Sequence, residues 1–347
     1  MKELQEILRH LASEMKGGRN VLGTLVTVKG SSYRRPGARL LVTSDGRRIG
    51  SVSGGCLEED ILLHAGEVAA KGLPSLHVYD TTSENDLVWG SGMGCQGVVG
   101  VLLEPLLGNP PWAAALAANF ESGTPTALEI VWQAKDPALL GTRLAEGVRL
   151  LNVKSAADLT FNSLTPSIPS IYRQVINPPP RLYIFGAGDD ARPLAGSAFA
   201  LGWNVTVADP RPALVTTERF PGTTRLATAP AEGLVAQVSP GPGSLAVVMT
   251  HHFAHDRQLL GDLLEQPLRY LGMLGPKQRT ARILDELGLA GSWDALPGGG
   301  KLHAPAGLNL GAETPEEVAL SILAEMQSAL SGKDARPLRT KKGSIHA

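Results

Sequence analysis

The stretch Arg181-Leu182-Tyr183-Ile184-Phe185-Gly186-Ala187-Gly188-Asp189-Asp190-Ala191 decides how the second half of this chain folds. Its first five residues form a largely apolar run that is typical of a buried strand. Two glycines and an alanine follow at the spacing Gly186-x-Gly188-x-x-Ala191. In such a loop the first glycine allows a tight turn, the second lets a pyrophosphate approach, and the small third residue packs a helix on the strand. The stretch therefore predicts a strand, a nucleotide-type loop and a helix.

Downstream of this unit the chain continues to alternate between apolar strands and helical segments. Further strands are predicted at 204–208, 244–250 and 270–274. The alternation predicts a doubly wound parallel sheet, an α/β fold of the Rossmann type. Asp209 ends the next strand, 21 residues after Gly188 (209 − 188). An acidic residue in that place can bind a ribose hydroxyl, so Gly186, Gly188 and Asp209 are predicted to mark a nucleotide pocket.

Charged residues complicate a simple nucleotide interpretation of this loop. Asp189 and Asp190 bring negative charge to the start of the helix, which suits the helix dipole but repels a phosphate. Arg211, just beyond Asp209, could accept a phosphate on the ribose instead. The loop could also be purely architectural, because a fold does not determine a function. The sequence leaves NAD(P), another nucleotide or no ligand as open alternatives.

A histidine-rich segment, Thr250-His251-His252-Phe253-Ala254-His255-Asp256, follows the strand predicted at 244–250. Ligands of open α/β sheets bind at the carboxyl ends of the strands, so Thr250 and His251 are predicted to contact a ligand. His251, His255 and Asp256 could bind a metal ion. The commoner alternative is a loop with one ligand-contacting histidine, and we favour that interpretation.

The N-terminal half also alternates between strands and helices. Its predicted helices lie at 4–15, 57–71 and 113–120, and its predicted strands at 21–28, 38–42, 76–79, 98–103 and 127–132. At the other end of the chain, Thr314 is predicted to cap a last amphipathic helix, with Pro315 at its first position and Glu317 completing a capping box.

These segments predict two domains and a tail. The first is an N-terminal α/β domain over 1–176, which carries both cysteines. The proline run Asn177-Pro178-Pro179-Pro180 is a stiff connector, and the Rossmann-like domain is placed at 177–330. The polar, basic stretch 331–347 is predicted to be a flexible tail.

Both cysteines of the chain lie in glycine-rich loops, Cys56 in 51–59 and Cys95 in 90–97. Glycine lets a ligand approach the main chain, and successive N–H groups of such turns can bind an anion. A thiolate is a soft ligand for metals, although either cysteine could simply be a packed small residue. Glu58 or Glu59 could act as an acid or base, and Lys29, Arg34 and Arg35 could supply charge to a phosphate. The candidate contact residues of this domain are Gly54, Gly55, Cys56, Glu58, Gly92, Gly94, Cys95 and Arg35.

The composition excludes several classes of function. The chain has 347 residues with 43% hydrophobic and 19% charged residues, which is ordinary for a globular protein. A net charge of -1 and 5% aromatic residues indicate neither nucleic acid nor an anionic membrane as a partner. Two cysteines without a signal peptide predict free thiols and a cytoplasmic location.

Four ordered motifs make the chain resemble the XdhC/CoxI family, the xanthine dehydrogenase accessory factors. The motifs are Gly50-Ser51-Val52-Ser53-Gly54-Gly55-Cys56-Leu57-Glu58, Gly92-Met93-Gly94-Cys95, the loop 185–191 with 202–212, and the stretch 306–317. Two departures stand out: Gln96 replaces a frequent glycine, and Gly275-Pro276-Lys277 replaces the usual Gly-Ser.

The resemblance implies an accessory protein that binds the molybdenum cofactor (molybdopterin) as cargo. It implies that a cysteine desulfurase supplies sulfur to the cofactor, that the cofactor is delivered to a xanthine dehydrogenase-like molybdoenzyme, and that the protein forms a homodimer. Carried over to this chain, Cys95 is the thiol that contacts the molybdenum cofactor, and Cys56 lines the same site. Such a maturation chaperone requires no catalytic turnover.

Two alternatives use the Rossmann domain as the main site. One is an NAD(P)-dependent oxidoreductase with Cys95 or His251 at the reacting carbon; it lacks a recognisable pair of residues for proton transfer. The other is a nucleotide-sensing regulatory protein, in which a dinucleotide sets the affinity for a partner.

Overall fold

The structure is a computed structural model that describes residues 1–14, 18–55, 57–80, 97–145, 169–289 and 301–342. The chain divides into two compact units, Met1–Pro178 and Pro179–Ala347. The division falls inside the proline run. No helix within the described ranges is long and apolar enough to cross a membrane.

The first unit is built from antiparallel sheets with helices packed against them. Its described helices are α1 (Lys2–Ser13), α2 (Glu58–Lys71) and α3 (Pro111–Ser122). Its described strands are β1 (Arg19–Gly30), β2 (Arg39–Val42), β3 (Arg48–Gly50), β4 (Ser75–Asp80), β5 (Gly97–Leu107), β6 (Thr126–Gln133), β7 (Gly141–Leu144) and β8 (Ser170–Ile176). One sheet has the order β3-β2-β1-β5-β4, and the other has the order β7-β6-β8.

Both faces of the larger sheet are buried. Leu22 packs in a cluster with α1, α3 and strands β6 and β8, whereas its neighbour Val21 packs in a second cluster with α2. Successive side chains of a strand point to opposite faces, so one apolar strand serves two cores. This explains why every residue of β1 from Val21 to Val26 is buried and why Thr24 is the one polar side chain among them.

The second unit contains a parallel sheet with helices on both faces. Its described strands are β9 (Arg181–Phe185), β10 (Asn204–Ala208), β11 (Arg225–Ala227), β12 (Leu245–Val248), β13 (Tyr270–Met273) and β14 (Leu302–His303). Its described helices are α4 (Ala191–Ala200), α5 (Ala231–Val238), α6 (Phe253–Leu264), α7 (Lys277–Glu286) and α8 (Pro315–Ser331).

The strand order of this sheet is β11-β10-β9-β12-β13-β14, with every described pair parallel. Counted within the unit, this is the order 3-2-1-4-5-6 of the Rossmann fold. The order reverses between β9 and β12. Crevices at such a reversal, outside the carboxyl ends of the strands, are where open α/β sheets bind ligands.

The doubly wound parallel sheet predicted from the sequence is confirmed. Strand β10 has the predicted bounds, and Thr314 and Glu317 form the predicted capping box at the start of α8. Strands β3, β7, β8, β11 and β14 were not predicted. Strand β8 lies in a stretch with weak alternation, and the other four are too short to carry a clear periodic signal.

Candidate functional site

Several loops of the first unit meet at one end of its larger sheet, where β1 finishes at Gly30. Gly30 pairs with Gly97, the first residue of β5. A Cβ on Gly97 would lie 2.3 Å from the carbonyl oxygen of Ser31, so this close approach of two chain segments requires glycine. Asp80, the last residue of β4, pairs with Val98 at the same end. Strand β4 therefore ends and strand β5 begins at this end of the sheet, on either side of residues 81–96.

The loop after β1 lies against the glycine-rich loop that precedes α2. A Cβ built on Gly54 would lie 3.6 Å from Cγ of Tyr33 and 3.7 and 3.8 Å from its two Cδ atoms. Tyr33 is nevertheless 68% exposed. The guanidinium of Arg34, the next residue, pairs with Glu3 of α1 at 2.5 Å. Arg35 is exposed in the same loop.

Glu58 holds the shape of the loop before α2. Its buried carboxylate accepts hydrogen bonds from the Ser51 hydroxyl at 2.9 Å, from the Ser53 amide at 3.0 Å and from the Ser53 hydroxyl. Burial alone would raise the pKa of Glu58, but these hydrogen bonds outweigh it and hold the pKa below its usual value. Glu58 is thus an ionised residue that positions the loop.

The amide groups of this loop are also used internally. The Ser53 hydroxyl oxygen accepts hydrogen bonds from the amides of Gly55 and Leu57, both at 3.2 Å. An anion nest needs amides that point at the ligand. The amides of Gly55 and Leu57 are therefore not directed at a ligand, and a ligand of this loop would be bound mainly by neighbouring side chains.

In the second unit, the glycine loop after β9 lies at the reversal of strand order. Gly186 has a φ of 131°, and a Cβ there would lie 2.4 Å from the carbonyl oxygen of Met249. Glycine is therefore required at this position by the close approach of the loops that follow β9 and β12. A Cβ on Gly188 would lie 2.8 Å from the carboxylate of Asp190.

Asp209 is placed at the end of β10, where the sequence predicted it, and is completely buried. Its carboxylate accepts hydrogen bonds from the Ala187 amide at 2.7 Å and from Nε and Nη2 of Arg211 at 2.9 and 2.7 Å. Burial would raise the pKa of Asp209, but the bonds from Arg211 and Ala187 lower it below the usual value. The carboxylate that could hold a ribose thus braces the glycine loop instead.

The other charges at this edge are paired with one another. Asp189 lies 3.0 Å from Nη2 of Arg219 and 3.8 Å from Arg192. Buried Asp256 accepts from the Thr250 hydroxyl at 2.6 Å and pairs with Arg279 at 2.6 Å. An anionic ligand would have to compete with an aspartate for each of these arginines.

His251 has an unusual backbone at the carboxyl end of β12. Its φ is 61°, a left-handed conformation that is uncommon for residues other than glycine. Its imidazole is 61% exposed, and Nε2 lies 2.6 Å from the carboxylate of Asp190. Strained backbone of this kind is concentrated at functional positions, so His251 stays a candidate contact residue of this edge.

The structure separates the predicted metal ligands near His251. The rings of His255 and His252 are in tilted contact with centroids 4.1 Å apart, while Asp256 pairs with Arg279. Among the residues that the structure describes, no group of three His, Cys, Asp or Glu side chains is arranged to hold a metal ion. The predicted contacts at Cys56, Gly92, Gly94 and Cys95 lie outside the described residues.

Three residues that were not predicted from the sequence contribute to these sites: Tyr33, Ser53 and Arg219. Ser53 could have been found, since serine hydroxyls commonly bond nearby backbone amides in turns that precede helices. The contacts of Tyr33 and Arg219 depend on tertiary structure and leave no local signal.

Comparisons with known proteins agree with both halves of this architecture. The model of the XdhC Rossmann domain matches residues 182–326, and the model of the XdhC and CoxI family matches residues 14–80. The second unit is therefore a Rossmann domain of the XdhC type, joined to a domain that carries the XdhC/CoxI signature.

Relatives match nearly the whole chain. A probable xanthine dehydrogenase subunit from Bacillus subtilis is 35% identical over 314 residues, covering 88% of this chain and 92% of that protein. The "Molybdenum cofactor insertion chaperone PaoD" of Escherichia coli is 26% identical over 333 residues, covering 93% and 87%. The crystal structure of a xanthine dehydrogenase from Bacillus halodurans superposes with a TM-score of 0.77 at 32% identity, covering 97% and 98% of the two chains. The chain belongs to the XdhC/CoxI family.

Proposed function

We propose that this protein is an accessory factor in the maturation of the molybdenum cofactor, which it binds as cargo. Membership of the XdhC/CoxI family supports this role. So does the similarity along most of the chain to a protein named as a molybdenum cofactor insertion chaperone. The role needs a binding surface, and no turnover.

We place the binding site where several loops meet, at the end of the larger sheet that contains Gly30. Tyr33 lies on Gly54, and Gly97 lies against Ser31. Cys95 precedes Gly97 by two residues in the sequence. Cys56 directly follows Gly55. We assign both thiols to this site as the cofactor-contacting groups, because soft thiolates suit a sulfur-bound metal.

Within this site the other residues have separate tasks. Glu58 and Ser53 keep the loop in one shape, so that the site need not be ordered when cargo arrives. Gly54 accommodates the Tyr33 ring, and Gly55 has nothing within 4 Å of its Cβ position. Arg35 supplies positive charge for the phosphate of the cargo, and Gly92 and Gly94 belong to the loop that carries Cys95.

The Rossmann edge is proposed as a secondary contact. Gly186, Gly188, Asp209 and Arg211 keep its shape, whereas Asp189, Thr250 and His251 are the residues next to its crevice. The imidazole of His251 is accessible, and its partner Asp190 keeps it in place. No observation within the described residues favours NAD(P) as the ligand, since the Ala187 amide and the nearby arginines already have aspartate partners.

The test is direct binding of the cofactor. Purified protein is mixed with molybdenum cofactor released from a denatured molybdoenzyme, and bound molybdenum and pterin are counted for wild type, Cys95→Ala and Cys56→Ala. We expect stoichiometric binding by wild type and at least tenfold weaker binding by Cys95→Ala. Absence of binding by wild type would contradict the proposed function.

The later steps are tested separately. We propose that a cysteine desulfurase sulfurates the bound cofactor, that the protein then delivers it to a xanthine dehydrogenase-like molybdoenzyme, and that it acts as a homodimer. Reconstitution of such an apoenzyme should be faster with loaded protein than with free cofactor at equal concentration. Equal rates would contradict delivery while leaving cofactor binding intact. Sedimentation gives the oligomeric state, and a monomer would contradict the dimer.

A further inference from the structure

An aromatic ring is left exposed beside the loop that carries Cys56. Tyr33 is 68% exposed, more than is typical of tyrosine, which is intermediate in burial between core and surface residues. Among the described residues of the first unit, two large apolar side chains are more exposed than Tyr33: Leu63 and Leu107, at 74% and 70%. Leu63 lies on α2, and Leu107 lies at the far end of β5. Tyr33 is the aromatic one of the three, and it lies where the loops meet.

The contact with Gly54 covers one face of this ring. The Cβ position of Gly54 is nearly equidistant from Cγ, Cδ1 and Cδ2 of Tyr33, at 3.6, 3.7 and 3.8 Å. A point equidistant from these three atoms, and nearer to them than to the rest of the side chain, lies above the plane of the ring. The opposite face is therefore the one that accounts for the exposure.

The loop that carries the ring is anchored on the C-terminal side of Tyr33. Arg34, the next residue, pairs with Glu3 of α1 at 2.5 Å. Farther along, the amide of Gly37 donates to the carbonyl of Leu25 at 2.7 Å, and the amide of Ala38 donates to the carbonyl of Arg35 at 3.1 Å. A ring on an anchored loop loses little freedom when a second ring stacks on it.

We infer that Tyr33 is a stacking platform for the fused planar ring of the cargo, and so a specificity-determining residue for a pterin. The inference rests on the proposed function, and it adds a residue and a recognition mode to it. Offset stacking of two aromatic systems fits a ring with one face covered and one face open. The platform recognises the heterocycle of the cargo.

The experiment uses the full chain and two ligands: neopterin, a pterin without the metal or its sulfur ligands, and the released molybdenum cofactor. Binding of neopterin is followed by quenching of its own fluorescence. The variants are Tyr33→Ala and Tyr33→Phe, with Leu107→Ala as the control for loss of an exposed apolar side chain at the opposite end of the sheet. Thermal unfolding of each variant verifies that it folds.

Tyr33→Ala should weaken the binding of both ligands roughly tenfold, the range that loss of one aromatic stacking partner produces. Tyr33→Phe and Leu107→Ala should bind within about twofold of wild type, because a phenyl ring still stacks. Unchanged binding by Tyr33→Ala would overturn the platform, and so would an equal loss in Tyr33→Phe, which would assign the effect to the hydroxyl. If Cys95→Ala weakens cofactor binding and Tyr33→Ala does not, the platform is contradicted and the proposed function stands. If the wild-type protein binds no cofactor, the proposed function itself is contradicted.

Discussion

The two glycine-rich loops of this protein, Ser53–Leu57 before α2 and Gly186–Asp190 before α4, hold their shapes in the same way but have different surroundings. In each loop a side-chain oxygen accepts hydrogen bonds from backbone amides: Ser53 does so within the first loop, and Asp209, from the end of β10, does so for the second. They differ in what remains beside them. The first loop lies under an exposed aromatic ring and contains a cysteine. The second is surrounded by aspartate–arginine pairs and an accessible histidine.

This difference indicates that a glycine-rich motif predicts a backbone shape and does not by itself identify a ligand. The motif Gly186-x-Gly188-x-x-Ala191 is the one that conventionally indicates a dinucleotide. Its acidic partner, Asp209, is nevertheless used to brace the loop. The aromatic and sulfur-containing surroundings of the first loop match a pterin with a metal–sulfur end better than the ionic surroundings of the second loop do.

The largest effect on stability is expected when Asp209, which braces the second loop, is replaced. Replacing it with alanine leaves the buried Ala187 amide without its acceptor and the half-exposed Arg211 without its partner, and should lower the free energy of unfolding by about 2–4 kcal/mol. Urea unfolding measures this. The matched control is Asp189→Ala, whose side chain is 80% exposed and should cost less than about 1 kcal/mol. Equal losses in the two variants would contradict the bracing role.

Asp209 should also make stability depend on pH. Its pKa is lower in the folded protein than its usual value. The stability it contributes is therefore present above the unfolded pKa, about 3.9, and is lost as the pH falls through the folded pKa. The difference in unfolding free energy between wild type and Asp209→Asn should shrink below about pH 4. A difference that grows on acidification would mean that the carboxylate is a strained, ligand-facing group.

A smaller effect is expected at Glu58. Glu58→Gln keeps the size of the side chain but replaces a carboxylate oxygen with a donor that faces the donors of Ser51 and Ser53. We expect a loss of about 1–3 kcal/mol in unfolding free energy, together with weaker cofactor binding because the loop loses its shape. Glu59→Gln, at the exposed neighbouring position, should change neither quantity. Lost stability with unchanged cofactor affinity would separate this loop from the cargo site.

The smallest effect is expected for dinucleotides. NAD⁺ and NADP⁺ added at millimolar concentration should leave the thermal midpoint of the protein unchanged, because the Ala187 amide and Arg211 are held by Asp209. Ligands that bind only the folded state raise the midpoint, so differential scanning fluorimetry gives the answer. A clear upward shift that disappears in His251→Asn would restore the Rossmann crevice as a nucleotide site.

Much of the fold could be predicted because local periodicity and tertiary structure agree in it. Strand β10 and the capping box of Thr314 and Glu317 are specified by residues within a few positions of each other. The position of Asp209 at the end of β10 was predicted on the same ground. Its use as a brace was not, although Arg211 is only two residues away, because side-chain direction depends on the burial of the whole strand end.

The contact of Tyr33 with Gly54 illustrates what sequence patterns cannot supply. The two residues are 21 positions apart (54 − 33), in two loops without periodicity. They meet because β1, β2 and β3 are hydrogen-bonded in a register that places both loops at one sheet end. The strained backbone of His251 is likewise a consequence of packing at the end of β12.

Hydrogen–deuterium exchange of the full chain, with and without bound molybdenum cofactor, tests most directly where the cargo lies. We expect slower exchange of the amides of residues 31–37 and 53–58 in the loaded protein, with smaller changes at 186–191 and 250–256. Protection confined to 186–191 and 250–256 would contradict the proposed site, and would place the cargo at the Rossmann edge.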